Sequence, residues 1–590
     1  MLTSYILLFT GLISIITCNN AYNDFFDEEL MLKPLSNNHI YAYFQFTTIW
    51  KTAKHIETLQ HSHLFPRGLG EIIGRHNVDE LHVTLTEGLW NYQKWGYPFH
   101  DAGPGAEITA WFNKNVTNVD KKWKGLTNAL AGLLCASLNF IDISNSMSPE
   151  FTFRPTGLVM NGLVNASHLR YSSLPKEIVC TENLTPFKKL LPCDSKRGLA
   201  TLLNSAHIHN TNYHSIGIHF RSICRDTSCT RISLELQQTV SLIYDIMTDM
   251  NQDWSIRKFF GMGLQGACPL ATLSNVYVDI SSNNTNHIYE LTPPPSARIV
   301  SLRGGQQNNI AVYDIRNHSS RGIFNIAAIY NMPTNIINYP SILYANRYII
   351  AELAALIHEV CTKAFFLGEP CKRYGQERGS LVTKLYNNHW QTLDVILLEN
   401  IPWYLLVYLH SVTITQNGQQ VRPLVQRYLP GKERKSPYYL ELILRLPPHS
   451  VMKITIDIDY LFLKWQEYPP DANHGFYMGP AIITALLPIA RNYTALPFDG
   501  STISSSFNAS RDDYLVQLRT ESLLISLPTP DFSMPYNVIC LACTAVALAF
   551  GPLHNISTKR LVLKRIEKDW KSKLFSFFIE RIFRIKRKQE

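Results

Sequence analysis

The sequence MKITIDIDY at residues 452–460 alternates apolar and polar side chains with a period of two. Successive side chains of a β-strand point to opposite faces, so this alternation predicts a strand with one buried and one solvated face. Residues 438–446, YYLELILRL, repeat the pattern with leucine at every second position from 440 to 446. The two stretches therefore predict two strands of a β-rich body.

Strand signals continue on the N-terminal side of this region. Short runs of the same kind occur at residues 83–86, 276–280 and 412–415. The last run leads into Asn417-Gly418, the residue pair typical of a two-residue hairpin turn. Helical periodicity is limited to residues 125–142 and 348–366. Many short strands between Gly, Pro and Asn turns predict a mainly β fold of the α+β class, with β-sandwich-like domains.

The two ends of the chain predict its relation to a membrane. Residues 2–16 are apolar and are followed by small and polar residues, which is typical of a signal peptide over residues 1–20. A second apolar stretch, residues 535–553, would be about 28 Å long as a helix, enough for a thin bilayer core. We expect one transmembrane helix at 535–556 and a basic cytoplasmic tail at 557–590.

The charge of that tail sets the orientation. From residue 559 it holds 12 Lys and Arg against 4 Asp and Glu, or +8 of the formal +9 of the whole chain. Basic residues beside a span remain on the cytoplasmic side, so the bulk of the chain is predicted to be lumenal. Apolar side chains interleaved with the basic ones also suit an interfacial helix. No groove-reading element accompanies the charge, so no nucleic-acid partner is expected.

The lumenal part is too long for one hydrophobic core, and we expect two domains at residues 21–265 and 266–534. Secretory exposure also makes N-x-S/T sites candidates for glycosylation. The candidate sites are Asn115, Asn165, Asn283, Asn317, Asn492 and Asn508. Asn183 heads the same motif but is set aside because Pro186 follows its threonine.

Cysteine usage agrees with an oxidising compartment. Of 11 cysteines, one lies in the predicted signal peptide and two in the predicted span, which leaves eight in the lumen. Short-loop pairs such as Cys224 with Cys229 and Cys361 with Cys371 are plausible, but eight cysteines do not define their pairing.

Catalytic signals are weak. Asp457 and Asp459 form the DxD pattern with which glycosyltransferases hold a metal-bound nucleotide sugar, and a strand aims both carboxylates to one face. The same alternation also describes an ordinary solvated strand face. His358-Glu359 begins a zinc-protease motif that lacks its second histidine. We expect neither a cofactor nor a metal, and a lumenal glycosyltransferase is kept as the alternative function.

Several longer stretches resemble one family. They are residues 65–70, 80–90, 95–97, 103–107, 135–142, 174–193, 402–404, 471–477 and 531–537. In this order they resemble the PIG-T family, the lumenal, single-span subunits of GPI transamidase. The resemblance covers the chain from near residue 40 to the end of the span and is loose at about 331–379.

This resemblance implies a non-catalytic scaffold in the endoplasmic reticulum membrane. In that complex a caspase-like cysteine protease subunit forms a thioester with the substrate, and the ethanolamine amine of a GPI glycolipid resolves it. The scaffold positions these partners and contacts further membrane subunits. Cys180 matches the position of the family's interchain disulfide to the caspase-like subunit. An internal bond between Cys180 and Cys193 remains the alternative.

A second expected site lies at the lumenal mouth of the span. Asp531, Ser533 and Asn537 are polar residues at the depth of a glycolipid head group, and Asn473 lies in a polar turn that could fold over them. We expect them to contact the GPI head group, although Ser533 and Asn537 are equally typical of helix caps.

Overall fold

The architecture comes from a computed structural model. It describes residues 24–35, 39–50, 64–157, 166–194, 196–224, 232–245, 254–280, 289–303, 306–318, 323–330, 341–349, 378–469, 471, 474–488, 502–503, 513–529, 533–559 and 570–586. The predicted signal peptide lies outside these residues. The described residues form two compact units. We call residues 1–463 with 468–528 the body, and residues 464–467 with 529–590 the membrane unit.

Strands dominate the body. The N-terminal strands are β1 (Asp24–Leu35), β2 (His39–Trp50), β3 (Val78–Glu87), β4 (Gly105–Phe112), β5 (Ser146–Met147), β6 (Leu169–Leu174), β7 (Tyr213–Cys224), β8 (Ile232–Asp245), β9 (Trp254–Ser255), β10 (Leu273–Asp279), β11 (Tyr289–Thr292), β12 (Ala297–Arg303), β13 (Gln306–Asp314) and β14 (Ala327–Tyr330).

The later strands are β15 (Leu343–Ile349), β16 (Arg378–Asn387), β17 (Leu393–Ile401), β18 (Leu405–Val407), β19 (Thr413–Gln416), β20 (Gln419–Gln420), β21 (Val425–Leu429), β22 (Tyr438–Leu446), β23 (Ser450–Tyr460), β24 (Phe476–Met478), β25 (Ile482–Pro488), β26 (Asp513–Arg519) and β27 (Leu523–Ile525).

Helices are fewer. They are α1 (Arg67–His76), α2 (Tyr92–Trp95), α3 (Val119–Leu134), α4 (Thr181–Lys189), α5 (Ser205–Ile208), α6 (Ile256–Phe260) and α7 (Ile315–His318) in the body, and α8 (Ser533–Thr558) and α9 (Trp570–Lys586) in the membrane unit. The predicted mainly β fold with a few helices and one C-terminal apolar helix is confirmed.

Two large strand arrangements build the body. The first is an eleven-stranded sheet in the order β12-β13-β10-β1-β2-β8-β7-β3-β4-β6-β5, in which β1 and β10 run parallel. The second arrangement comprises a sheet β15-β16-β23-β19-β20, with β18 also paired to β23, and a five-stranded sheet β21-β22-β17-β25-β26. The remaining small sheets are β11-β14-β9 and β24-β27.

The first sheet is covered on both faces at β4, every residue of which is buried. Its residue Ile108 belongs to the main core, together with Leu126 and Leu130 of α3. Trp111, three residues further along β4 and therefore on its other face, belongs to a second core cluster with Leu398 of β17. Alternate residues of β4 therefore pack against the helices on one side and against the five-stranded sheet on the other.

The period-two predictions are confirmed. Residues 438–446 form β22, and residues 452–460 lie within β23, whose burial alternates along its length. Asn417 and Gly418 connect β19 and β20 with φ angles of 47° and 86°. Positive φ at both central residues is what a type I′ hairpin turn requires.

Two sequence expectations need correction. The predicted boundary at 265/266 falls inside the segment that builds the first sheet, because β10 pairs with β1 and β13 pairs with β10. The first sheet and the small sheet β11-β14-β9 use strands up to β14, and the second arrangement begins with β15. The predicted helix at 348–366 is wrong at its start, since Tyr348 and Ile349 belong to β15; residues 350–366 lie outside the described residues.

Candidate functional site

Cys180 lies directly before helix α4, in an extended conformation at the N-cap position. Its thiol is free and half-buried. The alternative bond from Cys180 to Cys193 is wrong, because Cys193 is bonded to Cys268 with the two Cα atoms 5.9 Å apart. Cys224 is also disulfide-bonded, whereas Cys229, Cys361 and Cys371 lie outside the described residues.

Asn183 fixes the backbone around this thiol. Its carboxamide oxygen accepts the Cys180 N–H at 2.9 Å, and its Nδ2 donates to the carbonyl oxygens of Leu134 and Cys135 at 3.1 and 2.8 Å. Only 2% of Asn183 is exposed. One buried side chain therefore ties the start of α4 to the end of α3, and its amide has no room for a glycan.

The surroundings of Cys180 carry apolar side chains in contact with solvent. Ile178 is 74% exposed and Phe140 is 69% exposed, and Ile143 is exposed as well. The two segments are held together by the Ser137 N–H, which donates to Glu177 Oε1 at 2.8 Å. We call residues 135–143 with 176–183 the Cys180 surface. Such a concentration of exposed apolar groups is typical of a protein interaction site.

A second free thiol belongs to the same surface. Cys135 is exposed and ends α3 with a φ of 52°. This is the left-handed region, which glycine or asparagine usually occupies at a helix C-terminus. Among the described residues of the body, Cys135 and Cys180 are the free cysteines.

The predicted head-group residues are described only in part. Asn473 and Asp531 lie outside the described residues. Ser533 is the first residue of α8, and Asn537, which is exposed, follows four residues later in the same helix. Within α8, residues Tyr536–Thr558 form the helix in the described chain that is long and apolar enough to cross a membrane. The predicted span at 535–556 agrees with these limits.

Comparison with known proteins places this architecture in a family. The family model described as "Gpi16 subunit, GPI transamidase component" matches residues 8–252 and 248–581. The chain belongs to the Gpi16 family. Mouse "GPI-anchor transamidase component PIGT" is 41% identical over 553 residues, covering 92% of this chain and 91% of that protein. The resemblance seen in the sequence is therefore confirmed.

Other relatives extend the match. Human "GPI-anchor transamidase component PIGT" is 41% identical, covering 90% of both chains. Saccharomyces cerevisiae "GPI transamidase component GPI16" is 28% identical over 575 residues, covering 91% of this chain and 89% of that protein. The similarity thus extends over nearly the whole length of the Gpi16-family proteins compared.

The two carboxylates of the DxD pattern have structural partners in this Gpi16-family chain. Asp457 accepts a hydrogen bond from Ser380 Oγ at 2.6 Å, and Asp459 accepts one from Tyr408 Oη at 2.6 Å. Arg378 Nε lies 3.5 Å from the other oxygen of Asp459. No group of three metal-ligating side chains occurs in the described ranges. Neither the structure nor the comparisons support the glycosyltransferase alternative.

A buried ion pair joins the two strand arrangements. Arg519 of β26 donates to both oxygens of the Glu107 carboxylate on β4, at 2.8 and 3.2 Å. The two side chains are only 6% and 5% exposed. Nearby, the Gln517 N–H donates to Asp101 at 3.2 Å. Burial raises the pKa of Asp101 to about 7, although Arg519 opposes that shift. We call this cluster the Glu107 seam.

Glu441 makes a second joint between the two strand arrangements, through hydrogen bonds and without an ion pair. This fully buried carboxylate on β22 accepts the N–H groups of Glu150, Phe151 and Thr152 at 2.9 to 3.1 Å. It also accepts the Thr152 hydroxyl at 2.7 Å. Sequence reasoning did not find these joints, because each connects residues nearly 300 or more positions apart. They explain why both strand arrangements belong to one compact body.

Of the predicted glycosylation sites, Asn115 is described with its side chain. It lies exposed in the loop before α3, and its N–H donates to Asn113 Oδ1 at 3.1 Å. Asn317 belongs to α7. Asn165, Asn283, Asn492 and Asn508 lie outside the described residues.

Proposed function

We propose that this Gpi16-family chain is a non-catalytic subunit of GPI transamidase, which attaches GPI anchors to proteins in the endoplasmic reticulum lumen. The observation that carries the proposal is the near full-length similarity to relatives named as components of that complex. Asp457 and Asp459 accept hydrogen bonds from Ser380 and Tyr408 within the body, which agrees with a non-catalytic role. The chain would act by positioning partners that perform the chemistry.

In this proposal α8 anchors the chain with the body in the lumen and the C-terminus in the cytoplasm. The Cys193–Cys268 bond supports an oxidising compartment, and the +8 tail supports a cytoplasmic C-terminus. Exposed Asn115 is then a glycosylation site. Protease protection of sealed microsomes should shield the body, and Asn115→Gln should remove one glycosidase-sensitive mass step. Digestion of the body from the cytosolic side would contradict this orientation.

Cys180 is the proposed attachment point of the caspase-like catalytic subunit, through an interchain disulfide. Its thiol is free, it lies on a surface with exposed apolar groups, and Asn183 holds its backbone in place. A covalent link makes docking effectively intramolecular, with an effective concentration of up to about millimolar. The bond would therefore reinforce an interface rather than create one.

The chemistry belongs to the partner in this proposal. The caspase-like subunit forms a thioester with the substrate, and the amine of the GPI ethanolamine attacks that thioester. The amine is part of a membrane glycolipid, so it must be brought to a lumenal acyl-enzyme with water kept away. Orientation alone can contribute about 7–11 kcal/mol to such a reaction. A body whose strand arrangements are joined by a buried ion pair and by a buried, hydrogen-bonded carboxylate suits that task.

The proposed contacts to the glycolipid head group are Asn473, Asp531, Ser533 and Asn537. Support comes from the position of Ser533 and Asn537 one turn apart at the start of α8. Asn537→Leu should lower GPI attachment while complex assembly is unchanged. Thr544→Leu, deeper in the same helix, is the matched control and should leave attachment unchanged. Equal attachment in the two variants would remove Asn537 from the site.

The function as a whole is tested by replacement in cells that lack the endogenous subunit. A tagged wild-type chain should restore a GPI-anchored surface reporter and co-purify with a caspase-like subunit in mild detergent. The double variant Asp457→Asn with Asp459→Asn should do the same. Transfer of GPI to a peptide by the purified chain alone, or loss of activity in a well-folded double variant, would contradict a non-catalytic role.

A further inference from the structure

The helix α9 exposes an unusual number of large apolar side chains. Within residues 570–581 six of them are between 42% and 71% exposed: Trp570, Leu574, Phe575, Phe577, Phe578 and Ile579. A soluble helix normally buries such a surface against a core. Their exposure indicates a segment whose natural surroundings include an apolar phase.

Five of these six side chains share one side of the helix. At 100° per residue, Trp570, Leu574 and Phe578 follow one another along a single face, Phe575 and Phe577 flank it, and Ile579 lies at the border with the polar side. Ser576 and Glu580 lie on the opposite side. The polar and apolar sides run parallel to the helix axis, which suits a helix lying flat at an interface rather than one crossing a bilayer.

The charge of the segment identifies the interface. The tail from residue 559 carries a net +8, and five of its basic residues lie in α9 itself against the single acid Glu580. Lys571 and Arg581 project within the apolar side, where their long stems can pack along lipid while their charges reach the phosphates. Anionic lipid head groups complement this arrangement.

The position in the chain keeps α9 near such a surface. The candidate span ends at Thr558 and α9 begins at Trp570. Twelve residue steps reach about 40 Å at full extension, so α9 cannot leave the neighbourhood of the membrane that α8 crosses. We propose that α9 lies flat on an anionic lipid leaflet beside the span, with Phe575, Phe577 and Phe578 inserted and Ser576 and Glu580 facing water.

The test uses the full chain in nanodiscs of phosphatidylcholine alone or mixed with phosphatidylserine. Trypsin cleavage after Lys571, Lys573 and Arg581 is followed by mass spectrometry, with exposed Lys435 of the body as internal reference. Cleavage in the tail should be about tenfold slower on anionic discs, and added salt should restore much of the rate. Equal rates on the two lipid surfaces would overturn the proposal.

A pair of charge-matched variants separates insertion from simple attraction. Phe575→Glu with Phe578→Glu places two carboxylates on the apolar side, and Ser572→Glu with Ser576→Glu places two on the polar side. The first pair should abolish protection on anionic discs, whereas the second should keep most of it. Identical effects of the two pairs would contradict insertion. Protection that appears only with other subunits present would show a protein partner instead of lipid.

Discussion

The Glu107 seam and the Cys180 surface differ in which side chains they bury and which they expose. At the seam, Glu107 and Arg519 are buried and paired with each other, and they hold together strands that are far apart in sequence. At the Cys180 surface, large apolar groups are exposed and a thiol is left free. The contrast separates what stabilises the body from what is available to a partner.

The largest effect on the free energy of unfolding is expected when the seam is broken. Glu107→Ala leaves Arg519 charged and buried without its carboxylate, and should lower the free energy of unfolding by about 3–5 kcal/mol. The control is Asp394→Ala, which removes an equally short but exposed pair to Arg445 and should cost about 0–1 kcal/mol. Thermal unfolding of the purified full chain measures both. Similar shifts in the two variants would show that the seam does not hold the body together.

Two neighbouring residues in the loop before β4, His100 and Asp101, should respond to pH with opposite signs. Burial lowers the pKa of His100 to about 3, with Arg221 and His82 adding to the effect. His100 therefore contributes stability that is complete above about pH 6.5 and is lost as the pH falls toward 3.

Asp101 behaves in the reverse way. Its pKa is raised to about 7, so its contribution is complete below about pH 4 and is lost as the pH rises through 7. Asp101→Asn should consequently gain stability relative to the wild type between pH 5 and 8. Melting temperatures of both proteins across that range measure the effect, and a constant difference would contradict it.

A smaller effect is expected at Asn183. Asn183→Ala leaves the backbone groups at the ends of α3 and α4 without their partner and should cost about 1–3 kcal/mol. Hydrogen exchange at residues 134–136 and 180–184 should accelerate. Thr185→Ala removes the glycosylation motif but keeps the carboxamide, so it should change neither the glycan mass nor the exchange. A lost glycan in Thr185→Ala would contradict the structural role.

The smallest effect on folding belongs to the Cys180 surface. Ile178→Asp should change the free energy of unfolding by at most about 0.5 kcal/mol, because the side chain is already in water. It should nevertheless lower the yield of the covalent complex. Ile323→Asp, at a similarly exposed residue, is the control and should affect neither quantity. Equal yields in the two variants would show that the partner does not cover Ile178.

The sequence predicts local features of this fold well. Strands β22 and β23 and the Asn417-Gly418 turn follow from patterns a few residues long, because burial on one face imposes a period of two. The extent of the first sheet does not follow from such patterns. Strand β10 pairs in parallel with β1 although the two are more than 200 residues apart in sequence, and no local sequence pattern predicts that pairing.

The same distinction applies to the site. Cys180 was predicted as the interchain cysteine from the resemblance to a family, because the sequence around a single cysteine does not indicate an interchain bond. The role of Asn183 was hidden by the motif Asn-Leu-Thr, which reads as a glycan acceptor although the carboxamide is buried. Glu107 and Arg519 are 412 residues apart, and only the folded body brings them together.

The most direct test of the account is non-reducing electrophoresis of the assembled complex, with the bands identified by mass spectrometry. The wild type and Cys135→Ser should show a heavy, reducible band that contains the caspase-like subunit. Cys180→Ser should lose that band and still co-purify with the subunit. Persistence of the band in Cys180→Ser would contradict the assignment of Cys180.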